Sequence, residues 1–570
     1  MADGLSNLSG SPNSTRQTIC SERPAKAIGS RAGGAGRLTR TQPSKAAAGI
    51  TLSGTVGRNT LFGVIARAVQ VTTRMVTVPV VIAHLGLEGY GIWAIIMATA
   101  AYMRFGSIGI KSAFQKYVAE ATGDKNFQHA SQLLSTGCAA MLALSLAGLI
   151  PVAVFSKVLA RASGVPSDFL QSAAGAITLL ALIMVLSNVG AAYEAILTGG
   201  HRIDLARNLG SCFTVSEAVL IIVLLNFGHG LFAMACVMAA SEVGFVLACF
   251  LASRRVLPQV CVSRKFVTGS VGRELVRYAG SYQLVNILEV LYLSIIPFTV
   301  LREFGAQTSG VYALTTRLTQ TALTLPDAFL APILSGAAMV YASSSSEQMR
   351  ILVAKAFKVN LLLSFFPLAF LAVFGSSIVS AWTGQAIPEF RGILWLVCTA
   401  GFFQTISLLG LVLYRVSGNA LLDNVRQGLR IVVLLAIALF ARRLGLQGVL
   451  GGLALAEFVG MVFMVFAIKK TFHSFDARPV IGDAVRLATS AGLVLGACFI
   501  AERLVPSPSV IGARGFALLR LTKVGFVCML ATWPALLATR FMTRTEGSGL
   551  VRALLPDRRS RSEVRNVRAR

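Results

Sequence analysis

The stretch that decides the fold is RAVQVTTRMVTVPVVIAHLGLEGYGIWAIIMATAAYMRFGSIGIKSAFQKYVAEATGDK, residues 67–125. It contains two apolar spans joined by a tight turn at 84–89, and it ends in a polar segment that predicts an amphipathic helix. Each span has the length needed to cross a bilayer core of about 30 Å. Three arginines, Arg67, Arg74 and Arg104, lie inside the spans. A weaker copy of this layout follows about 220 residues later, which predicts an internally repeated membrane protein.

The composition of the whole chain agrees with this class. Of its 570 residues, 55% are hydrophobic and only 13% are charged, whereas a soluble domain averages about 25% charged residues. The net charge of +28 falls in short gaps between apolar runs and not on a basic groove with interleaved aromatics. The charge therefore follows the positive-inside rule, and nucleic acid is not an expected partner.

Beyond the first 57 residues, the hydropathy pattern predicts an all-α polytopic protein with about 14 transmembrane helices. The expected segments are a disordered basic cytoplasmic tail at 1–57, an N-lobe of helices 1–6 at 58–255, a cytoplasmic linker at 256–275, a C-lobe of helices 7–12 at 276–470, helices 13 and 14 at 471–540, and a basic cytoplasmic tail at 541–570.

Lysine and arginine concentrate in alternate loops, and this bias sets the orientation. With both termini in the cytoplasm, most basic residues fall on the inner side, among them Arg426 and Arg430, which are assigned to an inner loop. An odd number of spans would invert half of the loops and remove the bias.

The internal repeat is visible in two turns. HLGLEGYGIWAI at 84–95 resembles EFGAQTSGVYAL at 303–314. The matched pairs are Gly86 with Gly305, Gly91 with Gly310, Trp93 with Tyr312, and Ala94 with Ala313. Because six spans separate the copies, both have the same orientation in the membrane. A parallel repeat of this kind predicts two six-helix lobes around a central cavity, with two extra helices at the C-terminus.

Residues 85–137 resemble the polysaccharide flippases of the multidrug/oligosaccharidyl-lipid/polysaccharide exporter superfamily, especially the O-antigen and exopolysaccharide repeat-unit flippases of bacteria. The residues that carry the resemblance form a turn after the first span and a motif after the second. They are Leu85, Gly86, Tyr90, Gly91 and Trp93, followed by Lys116, Tyr117, Val118, Ala119, Glu120, Gly123 and Asp124. Arg104 departs from the family, which often carries an acid near that place.

The resemblance implies a flippase that moves a polyprenyl-pyrophosphate-linked oligosaccharide across the bacterial inner membrane by alternating access. The expected partners are this lipid-linked substrate, membrane lipids and other polysaccharide-assembly proteins. No cofactor and no metal site are expected, beyond a proton or sodium gradient as the driving force.

Charges inside the spans are the candidate site residues, because each costs free energy in a membrane. Arg67 and Arg74 are two helical turns apart and share a face with Gln70. With Arg104 in the second span and Arg317 in the eighth, they predict a cationic cavity for pyrophosphate, whose oxygens a guanidinium binds bidentately. The alternative is that these arginines pair with glutamates or extend to the interface.

Three acids are candidates for ion coupling. Glu289 lies mid-span with polar neighbours, and Asp327 follows Pro326 in a span that is expected to be kinked. Glu217 lies in the fifth span. The alternative roles are structural: Glu289 as a partner of Arg67 or Arg317, and Glu217 as a buried salt-bridge partner. Glu194, Glu242 and Glu457 are also acids within the spans, and no role is assigned to them.

Two other functions were compared with the flippase. A pathway polymerase or ligase is disfavoured because no large outer loop, catalytic set or phosphate-binding loop is present in the sequence, and no enzymatic activity is expected. A cation-coupled multidrug exporter of the same superfamily is the nearer alternative. The arginines of the first span favour an anionic substrate over a cationic drug.

Overall fold

The computed structural model describes residues 49–542, apart from 103–113, 115–116, 121–123, 125, 201, 343–345, 386, 416–420, 472–477 and 505–512. The pattern of contacts divides the chain into two units, with the boundary between Val56 and Gly57. The helical packing described below lies within the second unit. Arg104 lies outside the described residues. So do the predicted tails, apart from 49–57 of the first, where the first helix begins, and 541–542 of the second, where Phe541 and Met542 are buried.

The described part of the chain is helical, with no β-strand. We number its thirteen α-helices in chain order. They are α1 (Gly49–Ala101), α2 (Phe127–Ala162), α3 (Ser167–Gly199), α4 (Ile203–Asn226), α5 (Leu231–Val256), α6 (Gly269–Ala322), α7 (Thr324–Ala342), α8 (Ser346–Thr383), α9 (Phe390–Arg415), α10 (Leu421–Leu439), α11 (Ala441–Thr471), α12 (Arg478–Leu504) and α13 (Ala513–Ala538).

Two of these helices each contain two predicted spans, separated by one glycine. In α1 the break lies at Gly86, with φ 70° and ψ 176°. In α6 it lies at Gly305, with φ 87° and ψ 170°. A side chain at such a positive φ would be strained, so glycine is the residue that permits a sharp reversal here. The turn predicted at 84–89 is therefore present, and it depends on this single residue.

The internal repeat extends over all six helical hairpins. Among the described residues, six glycines have positive φ: Gly86, Gly164, Gly228, Gly305, Gly384 and Gly445. The fourth, fifth and sixth follow the first, second and third by 219, 220 and 217 residues. Equivalent turns at a nearly constant offset confirm the parallel repeat of two six-helix halves.

Helix packing follows the same division. In the first half α3 packs on α2 and α5, and in the second half α9 packs on α8 and α11. The last two helices pair with each other and lie against α8, where Phe374, Val494 and Cys498 are buried together. The all-α two-lobe fold with two added C-terminal helices is confirmed.

Ten helices in the described part are long and apolar enough to cross a membrane, and the protein is multi-pass. One of them, α1, contains two predicted spans. Helices α6, α7 and α10 are not among the ten, and α10 carries Asp423, Arg426 and Arg430. The ten helices are compatible with about 14 spans, but that number and the lobe boundaries remain predictions.

The segment between the halves is tied to α2 by its backbone. Residues 257–268 contain only a short 3₁₀ turn, Arg264–Phe266. Three of its N–H groups donate to hydroxyls of α2: Cys261 to Ser131, Ser263 to Ser135 and Thr268 to Thr136, at 3.0–3.1 Å. These bonds satisfy backbone donors that have no helical partner.

Candidate functional site

A cavity of about 620 Å³ lies between the two halves. Its walls come from both parts of α1, from α4 and α5, and from both parts of α6. The repeat-matched residues Trp93 and Tyr312 both line it, as do Ala94 and Ala313. The two turns that the sequence matched therefore place equivalent residues, one from each half, on the wall of one cavity.

Two of the predicted arginines line this cavity. Arg74 is exposed to it from α1, and Arg317 projects from the second part of α6. The charges of Arg317 and Arg67 repel that of Arg74, whereas Glu217 attracts it. Arg317 is half-buried, and its Nε donor has no hydrogen-bond partner among the described residues. Like charges held close together with unused donors are suited to binding an anion.

The remaining members of the predicted cationic set lie in different places. Gln70 lines the cavity one helical turn before Arg74. Arg67 is exposed and lies outside the lining, although it is within electrostatic range of Arg74. Arg104 falls in the range that the structure does not describe.

The three candidate acids are separated in the structure. Glu217 lines the cavity and is within electrostatic range of Arg74. Asp327 is half-buried and within range of Arg67. Glu289 is exposed and is not part of the cavity lining. In the described part of the chain it makes no ion pair with Arg67 or Arg317, so the structure does not bring it into the arginine site.

The structure also contains a buried charged cluster that the sequence did not indicate. Glu457 on α11 accepts hydrogen bonds from the hydroxyl of Tyr292 and from Arg430. The guanidinium carbon of Arg430 lies 3.6 Å from the centre of the Tyr292 ring, a cation–π contact. Arg430 and Glu457 are 3% and 2% exposed. The cluster joins α6, α10 and α11 within the second half.

A second pair lies beside it on α10. Arg426 donates to Asp423 Oδ1 and to Ser407 Oγ, each at 3.2 Å, and it is 2% exposed. The assignment of Arg426 and Arg430 to an inner loop was therefore wrong, because both lie in a helix and are buried against carboxylates. The spacing of Asp423, Arg426, Gln427 and Arg430 on one helical face was the available signal. Their partner Glu457 is 27 residues further along the chain.

The two halves are also joined by an indole hydrogen bond. Pro79 has no N–H, so the carbonyl of Met75, four residues earlier, lacks its usual helical donor. Trp382 Nε1 of α8 donates to that carbonyl at 2.6 Å.

Comparisons with known proteins agree with this architecture. Residues 64–220 match the model of the MatE family. A search of curated proteins finds no match. An inward-facing multidrug resistance MATE family transporter of the MOP superfamily has a TM-score of 0.61 at 15% identity, over 71% of this chain and 95% of that one.

Two further solved structures have a fold similar to that of this chain. The lipid II flippase MurJ, in an inward closed conformation, has a TM-score of 0.58 at 13% identity, over 83% of this chain and 97% of its own. A MOP superfamily transporter from Pyrococcus furiosus, described as having a binding pocket of reverse polarity, has a TM-score of 0.56 at 16% identity, over 76% and 99%. The protein thus has the fold of the MATE transporters. Its 64–220 segment carries the sequence signature of the MatE family.

Proposed function

We propose that this protein is a transporter that moves a polyprenyl-pyrophosphate-linked oligosaccharide across the bacterial inner membrane by alternating access. The observation that carries the proposal is the pair Arg74 and Arg317 on the wall of a cavity between two repeated halves. Two lobes that enclose a central site are the architecture that rocking between inward and outward states requires.

The charge of the cavity favours an anionic headgroup. Its lining contains two guanidinium groups and one carboxylate, Glu217, so the wall carries a net positive charge before Arg67 is counted. A guanidinium fork binds two oxygens of a phosphate at once. In a site with little water this attraction is stronger than at the protein surface.

The size of the cavity suits the headgroup and not the whole lipid. Its volume of about 620 Å³ lies within the usual range for small-ligand sites, about 300–1,000 Å³. The pyrophosphate and the first sugars would bind inside, with Gln70 and Gln320 as hydrogen-bonding groups. The polyprenyl chain would remain in the bilayer. We further propose that both termini lie in the cytoplasm and that membrane lipids and polysaccharide-assembly proteins are the partners.

A proton or sodium gradient is the proposed driving force, and no enzymatic step is involved. Glu217 is the coupling candidate within the cavity, because it is half-buried and within electrostatic range of Arg74. Asp327 and Glu289 are secondary candidates, since neither lines the cavity.

A multidrug exporter is the second candidate function, and specific residues favour it. The cavity wall includes Met97, Met234 and Met238 with the aromatic rings of Tyr90 and Trp93. Flexible thioethers beside aromatic rings adapt to varied apolar ligands. Glu217 would then attract the positive charge of a drug.

The two functions predict different effects of substitutions at the two cavity arginines and at Glu217. The test expresses the full chain in a bacterium that lacks a repeat-unit flippase, at matched protein levels, and measures surface polysaccharide and resistance to cationic dyes. The variants are Arg74→Gln, Arg317→Gln and Glu217→Gln. Arg443→Gln is the control, because Arg443 is exposed and outside the cavity lining.

Loss of surface polysaccharide in both arginine variants, with normal amounts in the control, is the expected result. Dye resistance that disappears in Glu217→Gln and persists in the arginine variants would instead establish the drug exporter. Full polysaccharide rescue by Arg74→Gln and Arg317→Gln would reject the cationic site.

A further inference from the structure

A small side pocket adjoins the central cavity in the second half of the protein. Its volume is about 70 Å³, and it shares Leu293, Tyr312, Thr316 and Gln320 with the cavity wall. Glu457 from α11 forms part of its lining. The pocket therefore lies between the central cavity and the buried charged cluster of α10 and α11.

The pocket presents oxygen atoms that lack partners within the described part of the chain. Glu457 Oε2 is buried there without a hydrogen bond, and Thr316 contributes a hydroxyl to the same wall. Leu293 is also in the wall, and Pro297, four residues later, lacks the N–H that would bind the Leu293 carbonyl. A buried carboxylate oxygen beside a hydroxyl and a freed carbonyl is a donor set that attracts a small hard cation.

The chain itself supplies a cation to this carboxylate. Arg430 binds Glu457 Oε1, donates to Gln427 Oε1 at 2.7 Å, and lies over the ring of Tyr292. Gly460 makes space for its side chain, since a Cβ there would lie 3.0 Å from Arg430 Cδ. Together with Arg426 and Asp423, the cluster holds two positive and two negative charges.

We propose that the side pocket is a carboxylate–cation site in which the guanidinium of Arg430 takes the place of a bound monovalent cation. The site is already neutral, so a sodium ion or proton would add an uncompensated buried charge, which is costly. The pocket, which is large enough to admit water, is then expected to hold water and no ion. The inference concerns the ion requirement of the fold and does not depend on the identity of the transported substrate.

The proposal predicts that sodium does not bind at Glu457 in the wild-type protein and that removal of Arg430 creates an ion requirement at that carboxylate. The experiment measures thermal unfolding of the full-length protein in detergent, in sodium chloride or choline chloride at equal ionic strength, at pH 6 and pH 8. The variants are Arg430→Gln, Arg430→Lys and the double variant Arg430→Gln/Glu457→Gln. The charged and titratable groups that face Glu457 are Arg430 and Arg426 on α10 and Tyr292 on α6.

The expected result is a difference in melting temperature between sodium and choline that is the same for the wild type and for Arg430→Lys. For Arg430→Gln, sodium or the lower pH raises the melting temperature by about 2 °C or more, as ligand binding to the folded state requires. The double variant loses this dependence, because no carboxylate remains to be neutralised.

Two results would overturn the proposal. One is sodium binding by the wild type, measured with radioactive sodium and abolished by Glu457→Gln. The other is an Arg430→Gln protein whose unfolding depends on neither sodium nor pH. If Arg430→Gln does not fold, radioactive sodium binding by the wild type and by Glu457→Gln still decides the question, because equal binding by the two proteins supports the resident cation.

Discussion

Gly91 and Gly310, which occupy equivalent positions in the two halves, pack directly against each other. A Cβ on Gly91 would lie 2.5 Å from the Gly310 nitrogen and 2.3 Å from the carbonyl oxygen of Ala306. A Cβ on Gly310 would lie 1.9 Å from the carbonyl oxygen of Leu87. Leu87 follows Gly86 and Ala306 follows Gly305, the equivalent turn glycines of the two repeats. Each half therefore makes the same contact with the other. The halves close against each other at this end of the cavity.

We expect Gly310→Ala to open this contact. The added methyl group cannot fit 1.9 Å from a backbone oxygen, so the two turns must separate. The expected result is faster hydrogen–deuterium exchange in residues 85–95 and 303–314 and a lower melting temperature. Gly451→Ala is the matched control, because its Cβ would meet nothing within 4 Å. Equal exchange in both variants would show that the contact does not hold the halves together.

We expect Arg317→Lys to reduce transport although it keeps the positive charge. Lysine cannot form the planar two-bond fork with a phosphate. One lost charge-assisted hydrogen bond corresponds to about ten- to hundredfold weaker apparent substrate affinity. Concentration-dependent transport of a pyrophosphate-linked lipid into proteoliposomes measures the effect. An Arg317→Lys protein with unchanged apparent affinity would mean that the residue provides charge alone.

We expect Trp382→Phe to destabilise the protein by about 1–3 kcal/mol, because it leaves the buried carbonyl of Met75 without a donor. Adding Pro79→Ala should recover part of this loss, since an alanine at this position restores the N–H that the proline removed. Chemical unfolding of both single variants and the double variant gives the coupling energy. Trp395→Phe is the control, because Trp395 is 48% exposed. A coupling energy of zero would refute the pairing of Trp382 with Pro79.

We expect loss of the acid to destabilise the protein strongly in one i,i+3 ion pair, Asp423–Arg426, and hardly at all in another, Glu347–Arg350. Asp423→Ala leaves Arg426, 2% exposed, without its carboxylate, at a cost of about 3–5 kcal/mol. In the second pair both side chains are more than half exposed, so Glu347→Ala should leave stability nearly unchanged. Melting temperatures of both variants test this. Similar values would show that burial does not determine the contribution of these pairs.

The sequence alone determined the class of the protein and its repeat. Apolar spans of membrane length and a glycine-centred turn are local patterns, so α1, its break at Gly86 and the equivalent break at Gly305 could be predicted from neighbouring residues. The arginines were recognisable because a charge among apolar neighbours is conspicuous. The prediction that Arg74 and Arg317 line one cavity required only the repeat and the expectation that its two halves face each other.

Only the tertiary structure decided which charges meet. Glu457 lies 27 residues from Arg430 and 165 from Tyr292 along the chain, and no local pattern links positions so far apart. The same is true of Trp382, whose partner Met75 is 307 residues away. Whether an intramembrane charge faces a cavity, as Arg74 does, or is neutralised inside a lobe, as Arg430 is, depends on how helices rotate and pack. That choice is made by contacts between distant helices, because a buried charge is tolerated only where another part of the chain compensates it.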